Sequence, residues 1–160
     1  AMTRRNTILP FFLLMTLLAA TAATAGTGLF GGVNFPTGDF NSGASTGWNV
    51  GGYYTVEMAP ILDIGVTAGY SDFGSDSSGN SLNAWEIQGI GHLKILFLKG
   101  YLGMGIANYR SPVDGRNTKL AWQMGVSAQI AIIEGRLGYH QIPADSGSVN
   151  WLSLTAGVAF

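Results

Sequence analysis

Residues 120–132 read Leu-Ala-Trp-Gln-Met-Gly-Val-Ser-Ala-Gln-Ile-Ala-Ile, and alternate positions in this stretch differ in kind. Leu120, Trp122, Met124, Val126, Ala128, Ile130 and Ile132 are apolar, whereas Ala121, Gln123, Gly125, Ser127, Gln129 and Ala131 are small or polar. Side chains that alternate with period two stand on opposite faces of a β-strand; a helical face has a different period. The pattern recurs as Leu62, Ile64, Val66, Ala68 and Tyr70 against Asp63, Gly65, Thr67, Gly69 and Ser71. It recurs again as Leu152, Leu154, Ala156, Val158 and Phe160 against Ser153, Thr155, Gly157 and Ala159. Working outward from these stretches, the chain divides into eight segments, near 27–36, 46–58, 61–73, 82–95, 98–110, 118–132, 135–143 and 148–160. The connections alternate in length. Residues 35–45, 73–81, 111–117 and 143–147 are rich in Gly, Ser, Asn, Asp and Pro, while Ala59-Pro60, Leu96-Phe97 and Ile133-Glu134 are short. An up-and-down meander with two unlike ends has this layout.

Composition decides which face meets the solvent. The chain has 160 residues, 47% hydrophobic and 11% charged, with 24 Gly and no Cys. Average soluble domains carry about 25% charge, so the polar face has too few charges to solvate a surface of this size. The absence of Cys excludes a disulfide scaffold and a Cys-ligated zinc site. A net charge of −1 gives no electrostatic footprint for nucleic acid. The pattern predicts an inside-out, all-β molecule: an eight-stranded antiparallel barrel with apolar residues facing lipid and small polar residues inside. A strand of about 9–11 residues spans a bilayer, and these segments have that length.

The N-terminus reads as an address. Arg4 and Arg5 are followed by an apolar stretch from Ile8 to Ala20 and by Ala23 and Ala25 spaced as A-x-A. This three-part layout predicts a secretory signal peptide over 1–25, cleaved after Ala25, and a barrel domain over 26–160. Aromatic placement supports the same architecture. Trp48, Trp85, Trp122 and Trp151 lie near the starts of descending strands, and Tyr70, Tyr109 and Tyr139 near the ends of rising ones. All seven are expected in an aromatic girdle beside the long loops. One misfit stands out: counting back from Phe160 puts Trp151 on the inner face, which leaves a bulge or a different role open there; Tyr53, Tyr101 and Tyr109 fall at inner parity. Rings at inner parity are expected to fill the lumen over glycines.

These residues resemble the small eight-stranded outer-membrane β-barrels of Gram-negative bacteria, the OmpA/OmpX-like group, over essentially all of 26–160. The resemblance rests on the leader, the eight alternating strands, the aromatic belt and the terminal Leu152-x-Leu154-x-Ala156-x-Val158-x-Phe160. It implies that the terminal residues are the signal read by the barrel-assembly machinery. It also implies a bacterial outer-membrane location with both termini periplasmic, a monomer, and outer-membrane lipid and lipopolysaccharide as partners. No cofactor, metal or nucleic acid is expected.

The remaining motifs are weighed against this architecture. Gly26-x-Gly28-x-x-Gly31 matches a dinucleotide fingerprint, but such a site needs a strand before it and a helix opening at it. Here a strand contains it. Asp72 to Asn80 offers oxygens but lacks the twelve-residue spacing of a Ca²⁺ loop. Glu57, Asp63, His92, Lys94, Lys99 and Arg136 fall near the short-turn end, mostly at inner parity. They are expected to form an interior ion-pair plug, because an eight-stranded barrel is just wide enough for side chains to fill. A gate or ion path is the alternative. The resemblance also raises lipid A-modifying barrels. Deacylases of that kind carry a His-x-Ser pair with a downstream Glu, but His140 is followed by Gln141 and Ile142 and no Glu follows. Palmitoyltransferases pair a loop His with Asp-Ser; Asp76-Ser77 is present, but neither His92 nor His140 lies in a long loop. The expectation is therefore a structural and surface-interaction role without catalysis. A narrow pore for small apolar molecules and a lipid-modifying enzyme are the alternatives.

Overall fold

The computed structural model describes residues 25–38, 40, 44–75, 81–111, 115–144 and 147–160. The proposed leader, except Ala25, lies outside these residues, as does the Asp76-Ser77 pair. Eight strands are present: β1 (Ala25–Thr37), β2 (Gly47–Ala59), β3 (Leu62–Ser75), β4 (Ser81–Ile95), β5 (Leu98–Ser111), β6 (Gly115–Ile130), β7 (Ile133–Ala144) and β8 (Gly147–Ala159). Each pairs antiparallel with its neighbour in sequence, and β1 pairs with β8 to close the barrel. Closure removes every sheet edge, so no strand presents an unpaired ladder.

The strands sit within a few residues of their predicted places, with two corrections at the short turns. The β2–β3 turn is Pro60-Ile61, with Ala59 opposite Leu62, and not Ala59-Pro60. The β6–β7 turn is Ala131-Ile132, with Ile130 opposite Ile133, and not Ile133-Glu134. Ala131 takes a positive φ of 54°, as Leu96 does at 57° in the β4–β5 turn. One residue of left-handed backbone lets a two-residue connection reverse the chain. The shift moves Glu134 out of the turn and onto the inner face of β7, where it is buried.

The alternation resolves into two faces as the sequence predicts. Leu120, Met124, Val126 and Ile130 are exposed on the outer face of β6, and Ala121, Gln123 and Ser127 between them are buried. Of the terminal set, Leu152, Leu154, Ala156 and Phe160 are exposed and Val158 is partly so, with Trp151, Ser153 and Thr155 turned inward. The outside of the barrel is therefore an apolar band of Leu, Ile, Val and Met side chains.

Inside, aromatic rings fill space that glycines leave open. A Cβ at Gly28 would stand 2.5 Å from Tyr53 Cζ, and one at Gly51 2.5 Å from Phe30 Cζ. At both Gly125 and Gly138 it would stand 2.5 Å from the Tyr101 hydroxyl. No side chain fits at such distances, so these glycines are sites of close approach. The uppermost level of the lumen, at the long-loop end, is not polar as the composition suggests. Phe73, Leu82, Ala84, Ala107, Tyr109, Ala121, Ile142, Val149 and Trp151 form a buried apolar cluster there.

Candidate functional site in the barrel lumen

Three levels stack along the lumen. The apolar cluster caps the long-loop end. Phe73 stands edge-on to Trp151 at 5.2 Å and to Phe40 at 5.1 Å, so the rings interlock across the barrel. This corrects two members of the expected girdle. Trp151 and Tyr109 are fully buried, because inner parity on β8 and β5 outweighs their nearness to the loops. The other five lie outside: Tyr70 bridges Trp48 at 5.4 Å and Trp85 at 4.7 Å, and Trp122 packs on Tyr139 at 5.6 Å.

Below the cap lies a polar level that the sequence reading did not assemble. His140 Nδ1 is 3.1 Å from Glu86 Oε2, and its Nε2 is 3.1 Å from Ser153 Oγ. The imidazole stacks on Trp151 at 4.8 Å with only 9° between planes. Gln88 Nε2 donates to the other Glu86 oxygen at 2.9 Å, which fixes the carboxylate. The order Ser–His–Glu is that of a nucleophile, a base and an orienting acid. Their surroundings argue against that use. Glu86, Ser153 and the ring stacked on His140 are all buried, with the apolar cap above. The cavity beside them is about 30 Å³ and is lined by Thr67, Gln123, Arg136 and Thr155 among others. That is room for about two water molecules, not for a substrate with its leaving group. The array holds the His140 ring between Glu86 and Ser153 and against the Trp151 face.

The third level, toward the short turns, holds the predicted charged residues, but in separate groups. Lys94 Nζ lies 2.8 Å from both Glu57 and Asp63, a three-residue ion pair at the lumen mouth. Lys99 donates to Gln129 at 2.7 Å. His92 is buried edge-on between Tyr53 at 5.5 Å and Tyr101 at 6.0 Å. Arg136 stands at the centre: its guanidinium lies 4.6 Å from the Tyr101 ring, 4.7 Å from Phe30 and 5.1 Å from Tyr53. Tyr53 in turn donates to Glu134 at 2.5 Å. Glu134 is the missed member of this group, and its carboxylate makes the count even. Glu57, Asp63 and Glu134 face Lys94, Lys99 and Arg136, three charges of each sign. Among the described residues no cluster of His, Asp and Glu is arranged to hold a metal ion.

No protein-family model and no curated protein sequence matches the chain. Solved structures do. The Yersinia pestis outer membrane protein Ail in a phospholipid nanodisc is similar with a TM-score of 0.61 at 14% identity, over 86% of this chain and 99% of Ail. The N-terminal β-barrel domain of Pseudomonas aeruginosa OprF is similar with a TM-score of 0.54 at 13% identity, over 84% and 97%. A de novo designed transmembrane β-barrel is similar with a TM-score of 0.52 at 17% identity, over 86% and 95%. A barrel of human design matches about as well as a natural one, so the likeness conveys architecture and not activity. The chain has the fold of the small eight-stranded transmembrane β-barrels.

Proposed function

We propose that the protein is an integral outer-membrane barrel whose role is structural and surface-interactive, without catalysis or conduction. The observation that carries this reading is the doubly closed lumen. An interlocked aromatic cap seals one end, and Arg136 with its three rings seals the other. In this reading the apolar band faces lipid, the long loops face outward to lipopolysaccharide and external partners, and the short turns face the periplasm. The exposed residues of Leu152 to Phe160 serve as the recognition signal during assembly, and the barrel works as a monomer. Residues 1–25 act as a cleaved export signal.

Planar-bilayer recording tests the proposal. Native protein, Arg136→Met and Trp151→Ala are each expected to give no resolved current steps, because one seal remains in every case. The Arg136→Met/Trp151→Ala double variant is expected to conduct. Discrete steps from native protein would overturn the reading in favour of a pore.

A further inference from the structure

The three short turns are apolar to their tips. Residues 58–61 are Met-Ala-Pro-Ile, 95–98 are Ile-Leu-Phe-Leu and 130–133 are Ile-Ala-Ile-Ile, with no charged or hydrogen-bonding side chain among them. Their large members are exposed, Leu96 to 93%. Water-facing connections are ordinarily polar, so a whole rim of this kind indicates a different solvent. The charges that flank it, Glu57, Asp63, Lys94, Lys99 and Glu134, stand at inner parity and have partners there: Lys94 pairs with Glu57 and Asp63, Lys99 donates to Gln129, and Glu134 accepts from Tyr53.

Geometry points the same way. The outward Trp48 and Trp85 stand in the long-loop halves of β2 and β4, whereas the exposed rings at the short-turn end are Phe97 and Phe160, so the Trp collar marks one membrane interface only. From Trp85 to Leu96 is eleven residues along β4 and its turn. At about 3.3 Å per residue and a tilt of about 40°, this descends roughly 28 Å. The apolar band of such barrels is about 25 Å tall. With the collar at one interface, the turns reach the other interface and no farther. The rim is also continuous with the lipid-facing band through Leu62, Leu93 and Leu98, which are exposed on the same outer face.

We propose that this rim is a lipid-binding surface, seated in the acyl-chain boundary of the periplasmic leaflet, so that only the charged lumen mouth meets periplasmic water. The proposal rests on the membrane reading above. The occupant is phospholipid, because the rim extends a surface that already faces lipid.

The chain has no Cys, so single thiols can be placed without removing any. Leu96→Cys and Ile132→Cys report the rim, Leu102→Cys the band and Arg110→Cys the long-loop end. Each is spin-labelled in phosphatidylethanolamine–phosphatidylglycerol vesicles and relaxed by oxygen or by a water-soluble nickel chelate. The oxygen-to-nickel ratio at Leu96 and Ile132 is expected to match that at Leu102 and to exceed that at Arg110 several-fold. Nickel-dominated relaxation at both turns, with Leu102 still oxygen-dominated, overturns the proposal and leaves the membrane reading intact. Nickel-dominated relaxation at Leu102 as well overturns the membrane reading itself. Turn labels shielded from both reagents overturn the lipid assignment in favour of a protein partner or a second copy of this chain.

Discussion

Replacing Arg136 by Met should cost about 3–5 kcal/mol of barrel stability, the range expected when one partner of a buried charge group is removed. Arg136 is 5% exposed, and its guanidinium stands within 5.1 Å of three ring centroids. Desolvated cation–π contacts contribute roughly 0.5–2 kcal/mol each, and methionine keeps the apolar share of that packing. Most of the cost comes from the charge left behind. Removing Arg136 turns the three acids and three bases of the short-turn level into three and two, with Glu134 only 2% exposed. That carboxylate would keep its hydrogen bond from Tyr53 and lose the cation that stands over the same Tyr53 ring. The companion Glu134→Gln removes the stranded charge, so the double variant should recover at least half of the loss. Urea titration of vesicle-reconstituted protein, read as the folded and unfolded bands of an unheated gel, gives all four corners of the double-mutant cycle. A cost below about 1 kcal/mol for Arg136→Met, the range of an exposed ion pair, would refute the reasoning, as would strictly additive single and double variants.

Three further outcomes follow from the same lumen. Gly28→Ala places a methyl against the Tyr53 ring, whose side-chain atoms are its three nearest neighbours, and should cost about 1–3 kcal/mol as overpacking; adding Tyr53→Leu should restore part of it in the same titration. Brominated-lipid quenching, read in single-Trp variants, should strongly reduce the emission of Trp48 and Trp85 and spare Trp151; equal quenching would contradict the inward placement of Trp151. A fluorophosphonate probe should leave Ser153 unlabelled in folded protein, and an adduct on the Ser153 peptide by mass spectrometry would show the Ser153–His140–Glu86 array to be a reachable nucleophile.

What was legible in the sequence followed the reach of each signal. Period-two alternation is local, so residues 120–130 announced their strand and its two faces without reference to the rest of the chain. Parity also held the right answer for Trp151 and Tyr109, but closeness to the loops competed with it and placed them in the girdle. Glu134 was lost to a two-residue error in one turn, since Ala131 takes left-handed backbone without the glycine or asparagine that usually marks it. The Glu86–His140–Ser153 array was not legible at all. It depends on which residues of three strands stand level. His140 lies opposite Trp151, one inward position from Ser153, and Glu86 lies 54 residues away in sequence. Cross-strand register is set by closure of the whole barrel, and no single segment carries it.

The rings lodged over glycines bear on how that closure finds its alignment. A slip of one residue is self-defeating in any half-lipid strand, because it sends oily side chains inward and polar ones out. A slip of two preserves the faces and is the more dangerous error. In the native pairing Tyr53 lies opposite Gly28, and Phe30 opposite Gly51 on the same two strands. Shifting that pair by two in one direction would set Phe30 against Tyr53, two rings competing for one space. Tyr101, opposite Gly125 on β6, would meet Gln123 or Ser127 after the same error. Tooth and notch thus oppose an even slip that oil and water cannot detect. The abundance of glycine that looks like slackness in the composition acts as a keyway, favouring the alignment in which each ring meets its own notch.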